Sequence, residues 1–284
     1  MDIITQEIKN NDQLIRVHGF QTGRLAIKQS AMTSQKPGMW STLWSFKDKN
    51  FAEWLPVWCW VIEHPEGVFL IDTGLSSEVN QKNYFRKVDF VSRYYFEKQM
   101  KFDITQADEI DQQLTKVQLN SKAISKVILT HLHIDHVGGL PHFTNIPVLV
   151  NEREWQSKDG AFPVLFPSTF NPEIIRLSER FQTFDKAYYI TKAQDVLMVE
   201  TAGHTTGHTS VILKTNKGVL FFAGDLAYTQ ERFQQQKFSA TTKSLQQSLL
   251  TCEKVKDLAQ REKVVFLPSH DTQNGERLAA LANL

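Results

Sequence analysis

The sequence predicts an α+β sandwich, two β-sheets flanked by helices, on three observations. Short apolar runs that end in turn or polar residues recur along the chain. They are rich in β-branched and aromatic side chains, as buried or half-buried strands favour. Helical patterns are fewer and longer, and the strands come in groups with helices between them. Strict alternation of strand and helix, the mark of a parallel doubly wound sheet, is missing.

Taken in order, Trp58 to Ile62 and Val68 to Ile71 form a hairpin across the turn-rich His64-Pro65-Glu66-Gly67. Further strands are expected at Val127–Leu129, Val148–Val150, Val196–Val199, Ser210–Leu213, Val219–Phe222 and Val264–Leu267. Helices are expected over Tyr84–Met100, Asp108–Leu119 and Thr242–Ala259, where apolar residues recur every three or four positions. The chain of 284 residues, 41% hydrophobic and 22% charged, is large enough for a substantial core and far from disorder. It is read as one domain over 1–284 with an aromatic-rich insertion at about 36–56.

The formal net charge is +1, so no global field favours nucleic acid or an anionic membrane. Neither is expected as a partner. The two cysteines, Cys59 and Cys252, sit in apolar settings and read as free buried thiols. The start, Met1 to Glu7, has no apolar run of signal-peptide type, and no stretch approaches the roughly 18 apolar residues of a membrane span. A cytoplasmic protein is the expectation.

Chemistry concentrates in Val127-Ile128-Leu129-Thr130-His131-Leu132-His133-Ile134-Asp135-His136-Val137-Gly138-Gly139. Imidazoles and a carboxylate are ligands that suit Zn²⁺ and similar transition cations. His131 and His133 differ by two, so in extended backbone they point the same way. Asp135 and His136 follow the strand, where the chain can turn and aim them at a second ion. Gly138-Gly139 would let the loop pass close beneath the site. Three later clusters join: His204 and His208 in Gly203-His204-Thr205-Thr206-Gly207-His208, Asp225 after Gly224, and His270 after Ser269. Each follows a strand, so all can converge on one rim of a sandwich. His18, His64 and His142 fall in no such motif and read as ordinary surface or hydrogen-bonded histidines.

These motifs resemble the metallo-β-lactamase superfamily, in its order along the chain: Asp72-Thr73-Gly74, then H-x-H-x-D-H, G-H-x-x-G-H, G-D and S-H. The resemblance implies a four-layer αβ/βα sandwich with a dinuclear metal site along one edge. It implies that His131, His133 and His204 hold one metal, that Asp135, His136 and His270 hold the other, and that Asp225 bridges them together with a hydroxide. Zinc is the expected metal; iron, manganese and cobalt fit the same ligands. Asp72 and His208 are expected to support the ligands without touching the metals.

Within the family, Asp225-Leu226-Ala227-Tyr228 is similar to the N-acyl-homoserine lactonases, which place a tyrosine three residues after the bridging aspartate. The implied reaction is hydrolysis of the lactone ring. A metal-bridging hydroxide attacks the carbonyl, Tyr228 donates to the developing oxyanion, and Asp135 carries a proton to the leaving ring oxygen. An acyl lactone also needs an apolar groove, and Met39 to Trp60 is rich in aromatic residues. Trp40, Trp44, Trp54, Tyr84 and Phe90 are the named candidates for its wall, with Ala161–Phe170 beside them. The aromatic segment equally suits a homodimer contact or plain core. A thioester, aryl-ester or organophosphate hydrolase on the same dinuclear site stays open, as does a non-catalytic signal-binding relative.

Overall fold

The alternation of apolar residues along each run becomes two stacked sheets in the computed structural model, which describes residues 2–10, 13–32 and 48–284. The first sheet holds β1 (Ile3–Asn10), β2 (Gln13–Ile27), β3 (Leu55–His64), β4 (Gly67–Ile71), β5 (Met100–Asp103), β6 (Lys126–Ile128), β7 (Val148–Asn151) and β8 (Glu173–Ile175). Its order is β1-β2-β3-β4-β6-β7-β8, with β5 also paired to β2. The second sheet holds β9 (Glu179–Phe181), β10 (Phe184–Tyr189), β11 (Val196–Glu200), β12 (Thr209–Thr215), β13 (Gly218–Gly224) and β14 (Val264–Pro268). They lie in the reverse of chain order. Neighbours β4, β6, β7 and β8 run parallel, as do β13 and β14; the other pairs are antiparallel.

The helices are α1 (Phe90–Gln99), α2 (Ile110–Thr115), α3 (Ile134–Val137), α4 (Glu152–Ser157), α5 (Gln230–Gln234), α6 (Leu245–Arg261) and α7 (Asn274–Ala280). Strand periodicity sorts the core into layers. Trp58, Trp60 and Ile62 of β3 face Val211, Leu220 and Phe222 of the other sheet. Their in-between neighbours Cys59 and Val61 pack outward against Ile110 and Leu114 of α2. On the far side, Val219, Phe221 and Phe266 pack against Cys252, Val255 and Leu258 of α6. Helix, sheet, sheet and helix therefore follow in that order, the αβ/βα sandwich that the resemblance implied. Burying each large apolar side chain contributes about 1.5–3 kcal/mol.

The expected hairpin and the other expected strands all form, most of them longer than expected. Both cysteines are free and buried. The helix expected over Tyr84–Met100 does not form as one piece. A short 3₁₀ turn covers Tyr84–Lys87, Val88 is extended, and a new helix starts after Asp89. The Asp89 carboxylate accepts the Ser92 N–H at 3.0 Å, so a helix cap sits in the middle of the apolar spacing. Met100 then enters a strand. The helix expected over Asp108–Leu119 shrinks to Ile110–Thr115, because Thr105 and Asp108 cap a separate 3₁₀ turn. The third begins at Leu245 rather than Thr242, since the Ser244 hydroxyl accepts the Gln247 N–H at 3.3 Å, and it runs on to Arg261.

Of the aromatic segment, residues 33–47, with Trp40 and Trp44, lie outside the described residues. Trp58 and Trp60 are core, with Trp60 against Phe222 at 5.4 Å between rings. Among the described residues, no helix is long and apolar enough to cross a membrane.

Candidate metal centre

Strands from both sheets end at one rim, and the ligand-type residues sit on the loops that leave them. Asp72 follows β4, His131 and His133 follow β6, and Asp135 and His136 open α3. His204 lies between β11 and β12, Asp225 follows β13, and His270 follows β14. The loop carrying the motif is held tight from below. A Cβ on Gly138 would meet the Ser76 nitrogen at 2.5 Å, and one on Gly139 would meet the Thr73 oxygen at 2.4 Å.

The structure brings all seven residues together in two groups. His131, His133 and His204 form one; Asp135, His136, Asp225 and His270 form the other. Within each, the ligand atoms lie within 4.8 Å of one another. Asp225 stands between the groups. Its Oδ2 is 3.5 Å from His204 and 4.0 Å from His131, while its Oδ1 is 3.3 Å from His136 and 3.2 Å from His270. Asp135 reaches the second group only, 3.4 Å from His270 and 3.6 Å from His136.

Neighbouring hydrogen bonds decide which ring nitrogens face inward. Asp72 accepts from the Thr130 backbone N–H at 2.8 Å, from the Thr130 hydroxyl at 2.9 Å and from His136 Nδ1 at 2.8 Å. The Thr130 hydroxyl spends its one proton on Asp72, so it accepts from His131 Nδ1 at 3.0 Å. Nδ1 of both His131 and His136 is thereby the outward donor, and Nε2 of each is turned into the site. His133 donates from Nε2 to the Asp159 carbonyl at 3.1 Å and turns Nδ1 inward. His270 donates from Nδ1 to the Pro56 carbonyl at 2.8 Å. His208 has neither nitrogen to spare. Its Nδ1 meets the Thr201 hydroxyl at 2.8 Å, and its Nε2 accepts the Asp225 backbone N–H at 3.0 Å.

The electrostatics differ between the groups. Burial, with neighbouring imidazoles, pushes His131 and His204 well below the ordinary histidine range, and burial pushes His133 down as well. These three are neutral and offer lone pairs. Burial also opposes charge on His136 and His270, but nearby carboxylates, Asp225 chief among them for His270 and Asp72 for His136, outweigh it and raise both. Burial likewise opposes charge on Asp225, yet His270 and His136 hold its carboxyl far below the usual range. Among the described residues, His131 Nε2, His136 Nε2 and Asp225 Oδ1 are buried with no hydrogen-bond partner. Orphaned nitrogen and carboxylate donors facing one another fit a pair of borderline cations.

Three supporting residues escaped the sequence reading. Glu154 accepts the Leu132 N–H at 3.1 Å and the Thr205 hydroxyl at 2.6 Å, tying the first histidine loop to that of His204. Burial pushes its carboxyl up to about 7. Thr130 and Asp159 orient His131 and His133 as described. No spacing or motif marks any of the three.

Tyr228 is buried between the groups, its ring 4.9 Å from that of His270 and 6.3 Å from that of His204. Its hydroxyl lies 3.4 Å from that of Thr241. Burial foremost, then the Asp225 charge, raises its pKa and keeps the phenol a neutral donor. A cavity of about 300 Å³ opens beside it, lined by His133, Asp135, Asp225 and Tyr228 on one side. Leu25, Ile27, Phe96 and Met100 form an apolar wall. Of the expected wall residues, the three that are described, Trp54, Tyr84 and Phe90, do not line this cavity. Trp54 lines a separate groove with Phe85 and Phe102. Tyr84, with Phe162 and Phe166, lines a small neighbouring hollow. Phe90 points into solvent, 71% exposed. The broken helix explains the miss, since the new cap at Asp89 turns Phe96 and not Phe90 toward the site.

Residues 52–260 match the metallo-beta-lactamase superfamily. An N-acyl homoserine lactonase of Bacillus sp is 29% identical over 222 residues, 77% of this chain and 82% of that protein. The N-acyl homoserine lactonase AttM of Azorhizobium caulinodans is 24% identical, over 76% of this chain and 82% of that protein. A solved N-acyl homoserine lactone hydrolase with the product N-hexanoyl-L-homoserine at its catalytic metal centre has a TM-score of 0.72 at 23% identity. That likeness covers 97% of this chain and 96% of the other. With a match running from ahead of β3 into α6, the αβ/βα layers and the ligand set in order, the chain belongs to the metallo-β-lactamase superfamily.

Proposed function

We propose that this protein hydrolyses the lactone ring of N-acyl-homoserine lactones, with a pair of zinc ions as its resident metals. His131, His133 and His204 would hold one ion, Asp135, His136 and His270 the other, and Asp225 would touch both. Two such cations would supply Lewis acidity, lowering the pKa of a bound water and polarising a carbonyl oxygen. The protein supplies the rest. The Tyr228 hydroxyl donates to the lactone carbonyl oxygen and holds the negative charge that gathers there. The Asp135 carboxylate takes up the proton that the attacking water gives up and passes it to the ring oxygen as the ring opens. The wall of Leu25, Ile27, Phe96 and Met100 takes the acyl chain and keeps bulk water off it. The product is the ring-opened N-acyl-homoserine.

One observation carries this reading: a buried, neutral tyrosine stands over both ligand groups at the head of an apolar cavity. The lactonases among the chain's relatives support it. The test is turnover by zinc-loaded protein on a panel of acyl lactones, thioesters, aryl esters and phosphotriesters. We expect kcat/KM for the acyl lactones to lead by about tenfold or more, the discrimination one well-placed polar contact gives. Faster cleavage of a thioester or phosphotriester, or idle protein on every lactone, would overturn it.

A further inference from the structure

The cavity beside the ligand groups contains a polar side chain that the proposed reaction leaves unused. Gln99 closes α1 and lines this cavity among Phe96, Met100, Leu25 and Ile27. It is only 2% exposed. Its backbone carbonyl is taken by the Lys28 N–H at 3.2 Å. Its carboxamide is not. Among the described residues, both Nε2 and Oε1 are buried with no hydrogen-bond partner.

A donor and an acceptor shut away from water without partners cost free energy. Methionine or leucine would fill the same space without that cost. The carboxamide is therefore explained by a ligand that pairs with both of its ends. A secondary amide does so, since it presents one N–H and one C=O.

We propose that Gln99 is a specificity-determining residue that reads the amide of the substrate. Its Oε1 accepts the amide N–H, and its Nε2 donates to the acyl carbonyl. The proposal rests on the lactonase reading and adds to it. The amide lies between the ring, which Tyr228 and the ligand groups engage, and the tail, which the apolar wall takes. Gln99 lines that same cavity beside Phe96 and Met100. A lactone with a plain alkyl substituent would leave the carboxamide unpaired and be rejected on that account.

The test compares an N-acyl-homoserine lactone with its carba analogue, in which CH₂ replaces the amide N–H and the acyl carbonyl and tail stay the same. Zinc-loaded wild-type protein is expected to favour the amide in kcat/KM by about tenfold to a hundredfold, the range of one to two buried hydrogen bonds. Gln99→Met should cut that ratio at least tenfold while retaining bound zinc. It should also melt no lower than wild type, because it removes an unpaired polar group. Gln99→Glu, which keeps the acceptor and loses the donor, should keep part of the preference.

A wild-type protein that does not distinguish the two lactones overturns the proposal without any variant. An unchanged ratio in Gln99→Met overturns it as well, and so does a variant that loses rate on both lactones equally. Wild-type protein idle on both would sink the lactonase reading itself, and would show this before any substitution was made.

Discussion

The role of Tyr228 can be separated from that of the candidate ligand residues by a single atom. Tyr228→Phe leaves the ring packed between His204 and His270 and removes only the hydroxyl. We expect kcat on acyl lactones to fall by about 10²-fold, the worth of one oxyanion donor, with metal content unchanged. An unaltered rate would remove Tyr228 from the chemistry. His133→Ala should instead lose bound metal and activity together, as elemental analysis alongside the assay would show.

His208 makes a prediction about pH. Burial pushes its pKa from 6.5 to about 3, so the folded protein refuses a proton that the unfolded chain accepts. Unfolding then takes up a proton, and stability rises with pH between those two values and is lost as pH falls toward the lower one. This one group contributes about 1.4 kcal/mol per pH unit across that window. Denaturant unfolding of metal-free protein at a series of pH values should show a slope shallower by that amount in His208→Gln. Equal slopes would contradict it. The ligand histidines and Asp225 were legible because they fall in a motif whose order is preserved along the chain. Glu154, Thr130 and Gln99 were not, because a residue that matters through a few hydrogen bonds across the fold, or through the lack of them, leaves no pattern in the sequence.

At the scale of elements, α6 links packing to the site. Val255 and Leu258 are fully buried against the second sheet. Leu258→Ala should cost about 2–5 kcal/mol by denaturant unfolding, the range for emptying a core position. The start of the same helix holds a ligand loop, since the Ser244 N–H donates to the Gly203 carbonyl at 2.9 Å and the Lys243 N–H to the His204 carbonyl at 3.0 Å. Ser244→Ala removes the cap and should cost about 1 kcal/mol. The strands were readable because β-branched and aromatic runs stop at turn residues. The helix boundaries were less so. Tyr84, Val88, Val91 and Tyr95 keep helical spacing, yet Asp89 caps a fresh helix between them. A cap and a mid-helix aspartate look alike until the backbone is seen. Trp58 and Trp60 show the opposite case, for their spacing of two already belonged to a strand with one face in the core.

At the scale of the whole molecule, each sheet supplies part of each ligand group. The first sheet carries Asp72, His131, His133, Asp135 and His136, while the second carries His204, Asp225 and His270. Cations held there would bolt the two halves of the sandwich together. Chelation should therefore lower Tm by roughly 10 °C, the equivalent of about 4 kcal/mol in a chain this size. Calorimetry before and after metal removal would check it, and an unmoved Tm would mean that no cation bridges the sheets. The layers themselves follow from strand alternation. Their pairing order does not, since β5 joins β2 from a distant part of the chain.

The grip of Asp72 on Thr130 and His136 reaches further than its own loop. A single carboxylate outside both ligand groups decides how a ring of each is presented. Replacing it with asparagine would put an amide where three protons now converge on two oxygens, and at least one would be turned away. The outcome would be an intact shell with a blunted centre, failing at both positions at once although every chelating side chain were still in place.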